Sequence, residues 1–195
     1  VQTCALPISF AAQRGSPFIK SVAVNPGETD FRAIAAQLNA AKPDGIFVTL
    51  MPPQASLFAR QVRQVGYRGE LFSTNQVEST DEIRAAGSAF DGLWYSREGG
   101  PESGHFFTEV SRRFPDGALT FAYLGYDASR ILSFGLRTPN PIEAIDRLQD
   151  FPGALGPMST KPDHSIDGPI QLMVIQGGAL VRLENGKDEA VQANK

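Results

Sequence analysis

The stretch PDGIFVTLMPPQASLFARQVRQVGYRGELFSTNQV, residues 43–77, carries the strongest secondary-structure signal in this chain. Residues 46–50 form a short run of apolar and β-branched residues, which is typical of a parallel strand buried on both faces. Apolar side chains then recur at helical spacing before Gly66, at Leu57, Phe58, Val62 and Val65. A second short strand is predicted at residues 71–74, so the stretch indicates a strand, a helix and a strand of an α/β fold.

The loops that follow the two predicted strands form the candidate binding site. A crossover of this length makes the strands parallel, so residues 51–54 and 75–77 should emerge together at the carboxyl edge of the sheet. Open α/β sheets bind small molecules at that edge. The candidates are an apolar wall and neutral amides that donate and accept hydrogen bonds, namely Met51, Pro52, Gln54, Asn75 and Gln76. The alternative is that these loops are only connections.

The flanking sequence extends the same α/β pattern. We predict a first strand at residues 18–24 and a helix that is capped by Thr29 or Asp30 and stopped by Pro43. Ser79 precedes Glu82 by three residues, which is capping-box spacing for a short helix closed by Gly87. A further strand is predicted at residues 92–96.

The composition changes at residues 97–101, which are polar and rich in glycine and proline, as in a segment that crosses between lobes. Helices are predicted at residues 103–114 and 119–136, with a shorter one after Pro141. Their apolar faces need a covering sheet, and the sequence predicts none nearby; the side chains concerned are Phe107, Val110, Phe121, Leu124, Ile131 and Leu132. A hairpin is predicted around Gly177 and Gly178, followed by a polar tail without pattern.

Several segments, in this order and spacing, resemble the extracytoplasmic substrate-binding proteins of branched-chain amino acid ABC transporters. They are Asp30-Phe31, PDGIFV at 43–48, ARQVRQVGY at 59–67, Tyr126-Asp127-Ala128 and FPGALGP at 151–157. The resemblance implies an α/β, periplasmic-binding-protein-like fold, with a parallel sheet and flanking helices, truncated to an incomplete second lobe. Members of this family are considerably longer, so it also implies that the first half of the protein is missing.

The same resemblance implies a division of the chain. Residues 10–97 would form the α/β sheet of the carboxy-terminal lobe, and residues 98–167 would be helices belonging to the missing amino-terminal lobe. Residues 168–185 would be the return hairpin and 186–195 a tail. Residues 1–9 are predicted to be a scar translated from a sequencing adaptor, because their sequence does not join any pattern that follows; a strand at residues 5–10 is the alternative.

Composition excludes several function classes. The net charge is −3 with both signs interspersed, so we expect no nucleic-acid partner. No apolar run is long enough for a membrane span, and no direct membrane insertion is expected. The only cysteine is Cys4, inside the suspected scar. His105 is interpreted as an ordinary helix residue and Asp163, His164 and Asp167 as a solvated turn, so we predict no metal, no cofactor and no enzymatic activity.

The resemblance implies a solute receptor that closes two lobes around a small-molecule ligand and presents it to an ABC permease, in the periplasm or another extracytoplasmic location. The signal peptide would lie outside these residues. Relatives place an aromatic residue in the loop matching residues 51–54 and often a carboxylate in the loop matching 74–76; here both differ. We therefore expect an amino-acid-like ligand, or a carboxylate or amide that lacks a free α-amino group. The alternatives are a ligand-sensing domain of a regulator and an enzyme on a flavodoxin-like sheet.

Overall fold

A computed structural model describes residues 13, 15, 17–100, 105–114, 122–184 and 187–190 of the 195-residue chain. The chain divides into two compact units, residues 1–96 with 172–195 and residues 97–171. The predicted adaptor scar at residues 1–9 lies outside the described residues.

The strands are, in chain order, β1 Gly45–Val48, β2 Glu70–Thr74, β3 Trp94–Glu98, β4 Phe151–Pro152, β5 Pro157–Thr160, β6 Ile166–Asp167, β7 Ile170–Gln176, β8 Ala179–Glu184 and β9 Lys187–Ala190. The α-helices are α1 Arg32–Ala40, α2 Gln54–Gln64, α3 Thr80–Ala86, α4 His105–Arg113, α5 Ala122–Gly135 and α6 Pro141–Asp146. Single 3-10 turns occupy Asn75–Val77 and Gly87–Phe90.

A six-stranded sheet in the order β1-β2-β3-β7-β8-β9 forms the centre of the first unit. Strands β1, β2 and β3 are parallel, as the sequence predicts, whereas β7 and β8 form an antiparallel hairpin. The hairpin turns at Gly177 and Gly178, with φ of 56° and 79°, values that glycine adopts without steric cost. The predicted α/β class is confirmed, and the sheet is mixed because the hairpin attaches to β3.

The core of this unit lies between the sheet and helices α1 and α2. Helix α2 buries Phe58 and Val62, two members of the predicted apolar stripe, and Phe58 meets Phe31 edge to face at 5.8 Å between ring centroids. On the sheet, Leu71 and Met173 are fully buried. The helical periodicity of residues 57–65 therefore corresponds to the side of α2 that faces the sheet.

Helix α3 begins as predicted, but its acidic residue has a different partner. The Ser79 hydroxyl accepts the Glu82 N–H at 3.1 Å, which is half of a capping box. The Glu82 carboxylate does not turn back to Ser79. It accepts the Ser56 N–H at 2.6 Å, near the start of α2, and is 3% exposed. Glu82 thus joins two helices by satisfying a backbone donor that the first turn of α2 leaves without an intrahelical acceptor.

We expect Glu82→Ala to lower the free energy of unfolding by about 1 to 3 kcal/mol, because the buried Ser56 N–H loses its acceptor. Chemical denaturation followed by circular dichroism measures the change. Glu82→Gln should lose less, since its side-chain carbonyl still accepts, and the exposed neighbour Asp81→Ala provides the matched control. Equal stability of Glu82→Ala and Asp81→Ala would contradict this role.

Three local predictions are wrong. Residues 18–24 form no strand; the Phe18 ring reaches the Phe47 ring of β1 at 6.4 Å, but a cavity separates the segment from the strand edge, so the ladder is not made. Helix α1 has Phe31 as its N-cap residue, although the Asp30 carboxylate accepts the Arg32 N–H at 3.1 Å. The predicted tail includes β9, which pairs with β8 because the hairpin offers it an open edge.

The second unit contains helices α4, α5 and α6 and a small antiparallel sheet of β4, β5 and β6. Helix α5 buries one narrow stripe at four-residue spacing, made of Tyr123, Asp127, Ile131 and Gly135. The predicted helices at 103–114 and 119–136 are confirmed within the described residues. The small sheet was not predicted, since strands as short as two residues show no periodicity.

Two of the segments that carry the family resemblance meet in this unit. Both carboxylate oxygens of Asp127 accept the Ala154 N–H, at 2.9 and 3.0 Å. Burial raises the pKa of the Asp127 carboxyl above its ordinary value, while the Ala154 N–H and Arg130 act in the opposite direction. The Arg130 guanidinium lies 5.0 Å from the centre of the Phe151 ring and donates to the carbonyl of Pro152. These contacts fix the loop at residues 151–157 against α5.

Among the apolar residues for which the sequence predicted no cover, Phe121 lies outside the described residues, and the described ones differ in burial. Phe107 and Ile131 are buried, and Phe107 packs with Phe106, Tyr123 and Leu155. Leu132 remains 56% exposed, and further along Leu136 and Ile142 are 74% and 80% exposed. The loop at 151–157 thus covers part of the helical surface.

None of the helices among the described residues has the length and apolar character required to span a bilayer.

Candidate ligand-binding site

The structure brings the two predicted binding loops to the same edge of the sheet. β1 and β2 pair in parallel, with Val48 beside Ser73, so the residues that follow each strand leave in the same direction. The Ser73 hydroxyl donates to the Val48 carbonyl at 2.8 Å and ties the two strand ends together. This placement satisfies the geometric requirement for a strand-end site.

The first loop presents an apolar surface. Met51 is 59% exposed and Pro52 is also exposed, and the Pro52-Pro53 peptide bond is cis. The Gln54 N–H donates to the Met51 carbonyl at 2.8 Å, which closes the loop into the start of α2. Met51 and Pro52 are therefore displayed at the sheet edge, as an apolar wall requires.

The Gln54 side chain has a structural role that the sequence does not predict. Its side-chain Nε2 donates to the carbonyls of Asn25 and Glu28, at 3.1 and 3.0 Å. These bonds hold the turn before α1 against the start of α2. The amide nitrogen of Gln54 is thus engaged within the protein, and any contact with a ligand would have to be made by its oxygen.

The second loop forms the single 3-10 turn Asn75–Val77 directly after β2. Asn75 and Gln76 are both half-buried, and Val77 is fully buried and anchors the turn in the core. The Oε1 atom of Gln76 is buried and, among the described residues, accepts no hydrogen bond. A buried acceptor without a donor is costly, so each one in a native protein calls for an explanation.

One charged residue in this loop was missed. The half-buried Glu78 follows the turn, and its N–H donates to the Asn75 carbonyl at 3.1 Å. The loop predicted from the sequence ends at residue 77 and therefore contains no charged residue. The signal was present, since the carboxylate stands only two residues after Gln76.

The other candidate groups are engaged in local contacts. His105 is exposed on α4. The His164 Nδ1 lies 3.0 Å from the Asp146 carboxylate, Asp163 accepts from Ser165, and Lys161 pairs with Asp167 at 3.0 Å. Within the part of the chain that the structure describes, no three His, Cys, Asp or Glu side chains cluster as metal ligands.

Comparison with known sequences places the chain among binding proteins. A family model described as periplasmic binding protein matches residues 4–179. Leu/Ile/Val-binding protein homolog 2 of Brucella abortus is 27% identical over 154 aligned residues, with 73% of this chain and 42% of the relative covered. Homolog 1 of the same organism is 29% identical over 156 residues, with 74% and 42% covered. The chain thus spans less than half the length of these curated relatives.

Solved structures show the same fold. The leucine-binding protein LivK from Thermotoga maritima superposes with a TM-score of 0.75 at 22% identity, covering 91% of this chain and 54% of that one. A solute-binding protein from R. palustris in complex with benzoate gives 0.69 at 18% identity, with 97% and 56% covered. LivJ from Streptococcus pneumoniae in complex with isoleucine gives 0.66 at 19% identity, with 93% and 55% covered.

Proposed function

This chain belongs to the periplasmic binding protein family, and from that membership we propose that the whole protein is an extracytoplasmic solute receptor of an ABC importer. The family comprises non-enzymatic transport receptors, so the chain is not an enzyme. The family match over residues 4–179 is the observation that carries the proposal. Its partners would be a small-molecule ligand and a membrane permease, and its location would be the periplasm or its equivalent.

The mechanism we propose is closure of two lobes around the ligand, which the permease then recognises. Hinge closure is an established response of two-lobed binding proteins. In this chain the loops after β1 and β2 would supply one wall of the ligand site. The rigid attachment of both loops, through the Ser73 hydroxyl and the buried Val77, supports such a preformed wall.

Within this wall we propose that Gln76 contacts the ligand directly. Its buried Oε1 is without a donor among the described residues, and a ligand N–H or O–H would satisfy it. Met51 and Pro52 would cover the apolar part of the ligand, and Asn75 would lie beside Gln76. A neutral amide does not neutralise an ammonium group, so we propose a carboxylate or amide ligand, or an amino-acid-like one whose ammonium is met elsewhere. The relatives in complex with benzoate and isoleucine show that this fold accommodates both kinds of carboxylate.

We expect Gln76→Ala to weaken ligand binding by the whole protein by about 1 to 3 kcal/mol, the usual effect of removing a hydrogen bond to a buried group. Isothermal titration calorimetry should use leucine, isoleucine and valine together with their deaminated acids and benzoate. Gln176→Ala is the matched control, since Gln176 is an exposed glutamine at the distal end of β7.

The results of this titration distinguish a wrong assignment of the ligand site from a wrong assignment of the function. Tight leucine binding that Gln76→Ala leaves unchanged would refute both the assigned residue and the ligand class, while the receptor function would stand. Binding of none of these solutes, together with a gene neighbourhood that lacks permease and ATPase genes, would instead refute the receptor function.

A further inference from the structure

The three methionines of this chain differ sharply in exposure. Met51, in the loop after β1, is 59% exposed at the carboxyl edge of the sheet. Met173 in β7 is fully buried in the core of the first unit, and Met158 in β5 is half-buried, with its sulfur against Gly153. Because an oxidant reaches an exposed thioether more readily than a buried one, the susceptibility of the three sulfurs to oxidation should follow their exposure.

Met51 is also the one predicted ligand-site residue that a dilute peroxide oxidises. The others carry a saturated ring or a side-chain amide, namely Pro52, Gln54, Asn75 and Gln76. When the Met51 sulfur bonds to one oxygen of hydrogen peroxide, the O–O bond breaks, the thioether loses two electrons and the second oxygen leaves as water. The product is methionine sulfoxide, which is polar where the thioether was apolar.

The loop around Met51 is held by its backbone rather than by the Met51 side chain. The Met51 carbonyl accepts the Gln54 N–H at 2.8 Å, and the neighbouring turn after β2 is anchored by the buried Val77. Neither contact involves the Met51 sulfur. Oxidation would therefore change the chemistry of the apolar wall and leave the loops that form it in place.

We propose that Met51 is a reversible oxidation site, at which a peroxide makes the apolar wall of the ligand site polar and so weakens binding. The effect on binding rests on the receptor function proposed above, in which Met51 covers the apolar part of the ligand. The wall must be open to solvent before a ligand enters, and an oxidant reaches the sulfur in that same state. A thiol-dependent methionine sulfoxide reductase would restore the thioether, as two thiols form a disulfide and the sulfoxide oxygen leaves as water.

Oxidation rates test the site on the 195-residue chain without any ligand. Cys4→Ser provides the background, because it removes the only thiol. Under dilute hydrogen peroxide, peptide mapping by mass spectrometry should show the Met51 sulfoxide forming at least about tenfold faster than the Met173 sulfoxide, with Met158 between them.

Two further readouts on the same sample test whether the change is local and reversible. The thermal midpoint followed by circular dichroism should not move when Met51 alone is oxidised. The two methionine sulfoxide reductases, one for each sulfoxide epimer, should together return the original mass. Oxidation of Met51 as slow as that of Met173, or unfolding on oxidation of Met51 alone, overturns the proposal.

Calorimetry on the whole protein tests the consequence for binding, with isoleucine and benzoate as the probes. Peroxide treatment should raise the dissociation constant of a bound probe at least about fivefold, because a polar sulfoxide replaces an apolar contact, and reductase treatment should restore it. In Met51→Leu the same treatment should leave the dissociation constant within about twofold of that variant's own starting value. An unchanged dissociation constant after oxidation of Met51, or an equal loss in Met51→Leu, overturns the proposal.

Two other results distinguish this proposal from the one on which it rests. Failure of both probes to bind the untreated protein would refute the proposed ligand class, whereas the oxidation rates decide the site without a ligand. If Met51 in the untreated whole protein oxidises as slowly as Met173, then the rest of the polypeptide covers its sulfur and the proposal is overturned.

Discussion

Leu71→Ala should destabilise the first unit by about 2 to 5 kcal/mol, as is usual when a fully buried leucine is truncated. Leu71 has no exposed surface and lies in β2, between β1 and β3, where its side chain belongs to the main hydrophobic cluster. Removing three carbons leaves a cavity that a paired central strand cannot easily collapse to fill. Equilibrium denaturation in urea, with the midpoint and slope both fitted, measures the loss.

Leu172→Ala is the matched control, because Leu172 is also a leucine in a strand of this sheet but is 53% exposed. Its truncation should change the free energy of unfolding far less. If the two variants unfold at the same urea concentration, then the burial of Leu71, and with it the placement of β2 in the centre of the sheet, is wrong.

Gly100→Ala should disrupt the second unit, with an expected loss of more than about 3 kcal/mol or failure to fold. A Cβ atom at position 100 would overlap the backbone carbonyl of Leu155. A backbone group cannot move aside as the end of a flexible side chain does, so the loop at residues 151–157 would have to shift as a whole. Near-ultraviolet circular dichroism and thermal unfolding report whether the tertiary packing survives.

Gly125→Ala tests the opposite situation within the same unit. Gly125 lies in α5, and a Cβ atom there would have no neighbour within 4 Å among the described residues. Alanine should therefore stabilise the helix by roughly 0.5 to 1 kcal/mol, since glycine carries the larger entropic cost of ordering.

A Gly100→Ala variant as stable as the original chain would contradict the close approach of residues 100 and 155.

The parts of the fold that sequence predicted were those with local signals. The stripe of Phe58 and Val62 defines α2, and the glycine pair at 177 and 178 defines the hairpin, because both depend on residues close together in the chain. The location of Gln76 at the sheet edge follows from the same local order. The partners of Glu82 and Gln54 were not predictable, since each reaches a backbone group 26 or more residues away.

The predicted first strand at residues 18–24 failed for a related reason. A strand is defined by its neighbour, and the mostly apolar side chains of this segment indicate only that it could pair. The structure puts a cavity where the hydrogen-bonded partner would be. The small sheet of β4, β5 and β6 shows the opposite failure. Its strands pair in the structure, but strands of two to four residues are too short to show a periodic sequence pattern.

The neighbouring positions of β3 and β7 have a consequence for the order of folding. The Ile175 N–H bonds to the Leu93 carbonyl, so the central sheet is completed only after residues 97–171 have been synthesised. Closing such a long loop costs more chain entropy than pairing helices from adjacent sequence, and we therefore expect it to be slower. On the ribosome we therefore expect the second unit, which is continuous in sequence, to gain structure before the sheet of the first unit is finished, leaving β3 with an unpaired edge in the interval.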